Sequence, residues 1–162
     1  EVAVDVLTGE SRVLRVDLLH DVGRSINPAI DIGQIEGGLM QGIGWLTSEE
    51  LWWNGSGELK THSPSTYKIP TARDWPVDAR IALLSDAPNR EDTIHRSKAV
   101  GEPPLMLAIA VFHALRDAVA SFAAEGERIP LDAPATGESL LHAIDRVRGS
   151  AKVQPSSIRT HA

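Results

Sequence analysis

Hydrophobic and polar residues alternate at the start of the chain, and the alternation predicts a β-hairpin. Val2, Val4 and Val6 fall on one face of an extended segment, and a β-rich run occupies residues 13–19. Residues 8–10, with a glycine at their centre, supply the turn between the two strands. The pattern is typical of an antiparallel pair that buries one face.

Two further strand signals lie in the middle of the chain. Residues 50–53 and 58–61 flank the turn sequence at residues 54–57, and this arrangement predicts a second hairpin. Residues 80–84 predict another strand. The proline-containing segment 62–76 is interpreted as an ordered but irregular loop.

Helical periodicity predicts three helices. The first covers residues 28–46, with Asn27 as its cap and a proline at its first position. The second covers residues 104–124, and its first half is apolar all round, which predicts full burial. Thr136 is expected to cap a third helix that ends near Val147.

These elements predict an α+β fold: antiparallel hairpins packed with one glycine-rich helix and one buried apolar helix, with no βαβ rhythm. The 162 residues, 42% of them hydrophobic, are enough for one core. We expect one domain, residues 1–148, followed by a disordered tail, residues 149–162. Because the chain starts with Glu1 and enters a strand at once, we expect it to be a fragment of a longer protein.

Charge and composition narrow the function classes. The net charge is −6 and basic residues are scattered, so nucleic acid and anionic membranes are not expected as partners. No apolar run approaches a membrane span and no signal peptide is recognisable, so a cytoplasmic location is expected. There is no cysteine, and the six histidines lack paired metal-ligand spacing, so no metal ligands are predicted.

The first helix carries five glycines, each of which costs about 1 kcal/mol relative to alanine. At helical spacing, Gln34, Gly37, Gly38 and Gln41 share one stripe, with amides at its ends and bare backbone between. Two interpretations stay open on these residues alone. The glycines permit close crossing by another element, or they let a large polar ligand approach while Gln34 holds its edge.

Glu102 is the candidate catalytic residue. It follows Gly101 and precedes Pro103 and Pro104, and the residue before a proline is expected to be extended rather than helical. The apolar run at residues 105–112 suggests burial, and a buried carboxylate is a good general base near neutral pH. The alternative is an acidic residue that merely complements the start of a helix.

Three motifs in one order resemble the molybdopterin-binding subunit of xanthine dehydrogenases, in its C-terminal part. They are DVGRSINPAIDIGQIEGG at residues 21–38, PSTYKIP at residues 64–70 and SKAVGEPPL at residues 97–105. The combination is far more specific than any one motif. The resemblance implies that Glu102 is the base beside the molybdenum and that Gln34 hydrogen-bonds the pterin cofactor.

The activity implied by the resemblance is the oxidation of purines, hypoxanthine and xanthine to urate, with water as the oxygen source. The implied cofactor is molybdenum-molybdopterin, with iron-sulfur clusters, FAD and NAD as acceptor held elsewhere in the assembly. The remaining molybdopterin-binding segment and the FAD/iron-sulfur subunit are the implied partners, and this chain alone is not expected to be active. A relative that oxidises aldehydes or other N-heterocycles, and a non-catalytic cofactor-domain fragment, are the alternatives.

Overall fold

The computed structural model describes residues 1–153, and its fold is α+β, as predicted. The four strands in this part of the chain are β1 (Val2–Val4), β2 (Ser11–Val13), β3 (Arg15–His20) and β4 (Asp78–Leu83). The three α-helices are α1 (Pro28–Thr47), α2 (Ile109–Ala120) and α3 (Gly137–Val153). Short 3₁₀ segments occupy Ala72–Asp74, Ile94–Arg96 and Pro103–Ala108.

The first predicted hairpin is confirmed, but its second strand is shorter than expected. β1 pairs antiparallel with β2, with Val2 opposite Val13. The chain then leaves the hairpin at Leu14, whose N–H donates to the carbonyl of Glu1 and whose carbonyl accepts from Asp78. The run at residues 13–19 is therefore divided between two sheets.

The second sheet corrects the sequence-based topology. β3 pairs with β4 in parallel, from Arg15 opposite Asp78 to His20 opposite Leu83, and α1 lies between the two strands in the chain. This is a parallel crossover, which the predicted absence of a βαβ rhythm had excluded. The predicted second hairpin is reduced to one bridge between Trp53 and Leu59.

All three α-helices and the strands share one hydrophobic core. Its centre consists of residues that are almost completely buried: Val22, Ile35, Leu39, Leu115, Val119, Leu140, Ile144 and Val147. The turn of the first hairpin reaches the start of α3, because a Cβ atom at Gly9 would overlap the backbone of Gly137. The first and last described elements are thus in direct contact.

The predicted helix starts are confirmed for α1 and α3. The Asn27 side chain accepts a hydrogen bond from the Ile30 N–H at 3.4 Å. The Thr136 hydroxyl accepts one from the Ser139 N–H at 3.2 Å. α3 runs to Val153, beyond the predicted start of the tail at residue 149, and residues 154–162 lie outside the described residues.

The second predicted helix differs in form and in burial. It begins as the 3₁₀ segment Pro103–Ala108 and becomes regular α-helix only in α2. Met106 is 59% exposed and Ile109 41% exposed, so the prediction of full burial is wrong for its first half. Only one face is covered, by the core around Val111 and Leu115.

The continuous stretch Pro103–Ala120 also corrects the expectation that no apolar run approaches the length of a membrane span. Its mean hydropathy of 1.3 and its 18 residues are sufficient for a membrane span by length and composition alone. A core helix of a soluble protein passes the same test, so this stretch is weak evidence for a membrane.

Candidate functional site

The crossing of α1 and the 3₁₀ segment Pro103–Ala108 fixes the chain on the C-terminal side of Glu102. A Cβ at Gly38 would come within 2.9 Å of the Pro104 Cβ, and one at Gly42 within 2.6 Å of the Ala108 Cβ. A side chain at either position would push the two elements apart. These glycines therefore hold the segment that follows Glu102 directly against α1.

A second close contact fixes the other end of α1. A Cβ at Gly44 would overlap Glu49 and Pro70. Glu49 is only 9% exposed, and its carboxylate accepts a hydrogen bond of 2.5 Å from the Tyr67 hydroxyl. This bond raises the pKa of Tyr67 above its ordinary value. The PSTYKIP motif is thus anchored at the C-terminal end of α1, in the half of the helix that does not contain Gln34.

The opposite side of α1 is open. No atom of another element lies within 4 Å of the position a Cβ would take at Gly33 or at Gly37, and Gln34 and Gln41 are exposed beside them. The predicted stripe is therefore partly wrong, because Gly38 belongs to the packed side. Within residues 1–153 the Gln34 amide makes no hydrogen bond, so it is available to a ligand.

Gln34 and the segment containing Glu102 meet at one edge of this open side. The Gln34 Oε1 lies 3.8 Å from the position a Cβ would take at Gly101, the residue before Glu102. The structure therefore brings the two predicted site residues into one neighbourhood. Both side chains are exposed, and Glu102 makes no capping hydrogen bond.

Two predictions about Glu102 are corrected. Its backbone lies in the right-handed helical region, with φ −98° and ψ −38°, and is not extended. The reason is that its carbonyl accepts a hydrogen bond of 3.0 Å from the Leu105 N–H, which closes the first 3₁₀ turn and outweighs the usual effect of a following proline. The carboxylate is also exposed rather than buried.

Sequence reasoning did not pair Asp21 with Lys98, although both lie within the motifs. The Lys98 ammonium donates to Asp21 Oδ2 at 2.5 Å, and the Gly23 N–H donates to Asp21 Oδ1 at 2.9 Å. The Lys98 hydrogen bond, together with the Gly23 N–H, lowers the pKa of Asp21. The separation of 77 residues explains why local pattern did not pair them.

The residues on the open side fit a large polar cofactor better than a metal ion held by protein ligands. Among residues 1–153, no three histidine, aspartate or glutamate side chains are grouped to hold a metal. Bare backbone at Gly33 and Gly37 leaves room beside the Gln34 amide for a flat, hydrogen-bonding molecule. A pterin, with its ring nitrogens and carbonyl, has this character.

Comparison with known proteins identifies the class. A family model described as the molybdopterin cofactor-binding domain matches residues 1–76, which include Gln34 but not Glu102. Quinoline 2-oxidoreductase from Pseudomonas putida 86 has a similar structure, with a TM-score of 0.76 and 34% identity over 90% of this chain and 18% of that chain. CO dehydrogenase from Oligotropha carboxidovorans also gives a TM-score of 0.76, with 25% identity over 90% of this chain and 17% of that chain.

Comparison of sequences gives relatives of known activity. The chain is 49% identical to rat (Rattus norvegicus) xanthine dehydrogenase/oxidase over 148 residues, which are 88% of this chain and 11% of that protein. The Dictyostelium discoideum xanthine dehydrogenase is 48% identical over 143 residues. The chain belongs to the xanthine dehydrogenase family of molybdopterin-binding proteins. It spans about a tenth of the length of these curated relatives.

Proposed function

We propose that the chain forms part of a molybdenum hydroxylase that oxidises purines, hypoxanthine and xanthine to urate, with water as the source of oxygen. The observation that carries the proposal is the meeting of Gln34 and the Glu102 segment at the open side of α1. Within residues 1–153 the Gln34 amide and the Glu102 carboxylate have no hydrogen-bond partner, so both are free to interact with a cofactor and a substrate. The sequence identity to xanthine dehydrogenases supports the purine as substrate.

Each residue has a distinct task in this proposal. The molybdenum-molybdopterin cofactor, when bound, would supply the two-electron acceptor. Gln34 would hold the pterin by its amide, with Gly33 and Gly37 leaving the backbone free for close approach. A carboxylate oxygen of Glu102 would take up the proton from the water-derived oxygen that attacks the electron-poor carbon of the purine.

The exposed apolar surface supports the proposed partners. Leu19 and Leu107 are both more than one-third exposed and line one cavity together with Ala110, and an exposed apolar surface of this kind is commonly covered by another polypeptide. We assign this surface to the remaining molybdopterin-binding segment. The FAD and iron-sulfur carriers, and NAD as the acceptor, would lie elsewhere in the assembly, and a cytoplasmic location stays a prediction.

The test uses the complete enzyme that contains this chain, assayed for xanthine-dependent NAD reduction and for molybdenum content. Glu102→Gln should retain the metal and lose turnover by about 10²- to 10⁴-fold, because it removes a general base. Glu125→Gln, which changes an exposed glutamate in a loop after α2, is the matched control and should be fully active. Gln34→Ala should lower the molybdenum content.

Full turnover by Glu102→Gln would refute the base assignment, and full metal occupancy in Gln34→Ala would refute the cofactor contact. A parallel assay with quinoline-type heterocycles and aldehydes decides between substrates, since the quinoline enzyme has a similar structure. If the complete wild-type enzyme retained molybdenum but oxidised none of these compounds, the non-catalytic alternative would replace the proposal.

A further inference from the structure

Two chain segments lead into the candidate site, and each ends at one of its residues. The first leaves β3 at Asp21 and reaches Gln34 through the start of α1. The second follows the 3₁₀ segment Ile94–Arg96 and reaches Glu102 after Lys98. The distance between the Gln34 amide and the Glu102 carboxylate depends on how these two segments are joined.

Backbone hydrogen bonds join the segments before they diverge. The Arg24 N–H donates to the Arg96 carbonyl at 3.0 Å, and the Lys98 N–H donates to the Val22 carbonyl at 2.8 Å. Gly23 lies between them with φ +63°, and a Cβ there would come within 3.1 Å of the Lys98 nitrogen. Only glycine satisfies both the positive φ and the close approach.

The Asp21 carboxylate completes this junction with both of its oxygens. Oδ1 accepts from the Gly23 N–H on its own segment, and Oδ2 accepts from the Lys98 ammonium on the other. Both side chains are more than one-third exposed, and exposed ion pairs contribute little to global stability. An ion pair that adds little to global stability but joins two site segments is expected to affect the local geometry of the site more than the folding of the protein.

We propose that Asp21 and Lys98 are positioning residues for Glu102. Their ion pair holds residues 96–102 against the segment that connects β3 to α1, and so fixes the Glu102 carboxylate relative to Gln34. The inference rests on the proposed function for its effect on turnover. Its structural part, restraint of residues 99–102, is measurable without any assay of activity.

The experiment compares Lys98→Met, Lys98→Arg and a control variant in the complete enzyme. The control is Lys60→Met, because Lys60 also forms a 2.5 Å ion pair with a nearby carboxylate, that of Glu58, at an exposed site. Hydrogen–deuterium exchange reports the restraint at two amides: that of Arg24, which donates across the junction to the Arg96 carbonyl, and that of Leu105, which donates to the Glu102 carbonyl. Steady-state kinetics with xanthine report its consequence.

Lys98→Met should increase the exchange rate at the Arg24 and Leu105 amides by about two- to fivefold, because the ion pair no longer stabilises the closed junction and the contribution of an exposed pair is small. It should lower kcat by about 10- to 100-fold with KM changed less than about twofold, as expected when a reacting group is misplaced by a fraction of an ångström to about 1 Å. Lys98→Arg, which retains the charge, should recover most of kcat. Lys60→Met should match the wild type in both measurements.

Unchanged exchange at the Arg24 and Leu105 amides in Lys98→Met would overturn the inference, whatever Glu102→Gln shows. Faster exchange together with full turnover of Glu102→Gln would overturn the proposed base and still support the restraint. If Lys98→Met does not assemble, Asp21→Asn removes the other charged partner. Its exchange and kinetics are measured in the same way, and the same outcomes support or overturn the inference.

Discussion

Glycines lie on both sides of α1, but their surroundings on the two sides are opposite. On the packed side, Gly38, Gly42 and Gly44 let a 3₁₀ segment and a proline loop touch the helix backbone. On the open side, no other element lies within 4 Å of the Cβ position at Gly33 or Gly37. Packing accounts for the first group and leaves the second unexplained. Glycines that cost helix stability without a packing partner therefore mark the face that meets a ligand or another polypeptide.

The largest expected contrast compares two isoleucines on α1. Ile35 is completely buried, and Ile35→Ala should lower the free energy of unfolding by about 2–5 kcal/mol through lost burial and a cavity. Ile30 is 59% exposed, and Ile30→Ala should change it by less than about 0.5 kcal/mol. Urea denaturation of the cofactor-free protein measures both values. Equal losses would mean that the two sides do not differ in burial.

A sharper contrast compares two glycines. Gly42→Ala should lower the free energy of unfolding by about 2 kcal/mol, because its Cβ would meet the Leu105 carbonyl and Ala108. Gly37→Ala should raise it by about 0.5–1 kcal/mol, since alanine favours the helix and the space is empty.

The same two glycine substitutions distinguish a role in packing from a role in cofactor binding. In the complete enzyme, Gly37→Ala should lower molybdenum content although the cofactor-free protein is more stable. A stabilised Gly37→Ala protein with full molybdenum content would show that the open side does not contact the cofactor.

The smallest effect concerns Asp21, at the edge of the open side. Lys98 and the Gly23 N–H lower its pKa in the folded state, so its stabilising contribution is present above the ordinary aspartate value of 3.8. The contribution is lost as the pH falls through the lowered folded pKa. The stability difference between wild type and Asp21→Asn should therefore be small at pH 7 and shrink towards zero in acid. Urea titrations between pH 2 and pH 7 test this, and a difference that grew in acid would contradict it.

Local signals predicted the helices better than the strands. Asn27 and Pro28 identified the start of α1 because a side-chain cap and a ring-fixed φ act within one turn. The run at residues 13–19 gave no comparable information about its partner, since alternation with a period of two is common to parallel and antiparallel strands. The partner of β3 lies about sixty residues away, beyond any local pattern.

Sequence motifs selected the candidate site residues but did not predict the form of the backbone around them. The motifs selected Gln34 and Glu102, and the geometry brings their segments together. The helical backbone of Glu102 was missed because the proline rule is a statistical preference, and the 3₁₀ turn reverses it here. The division of the glycine stripe at Gly37 and Gly38 was missed because it depends on a segment more than sixty residues later in the chain.

The contact between Gly9 and Gly137 has a consequence for the order of folding. The hairpin turn can be covered only when α3 has been synthesised, more than a hundred positions later, so closure of this fold is non-local. During translation the hairpin turn at Gly9 would stay uncovered until the start of α3 has been synthesised. This is the interval in which we expect the nascent chain to depend most on chaperones.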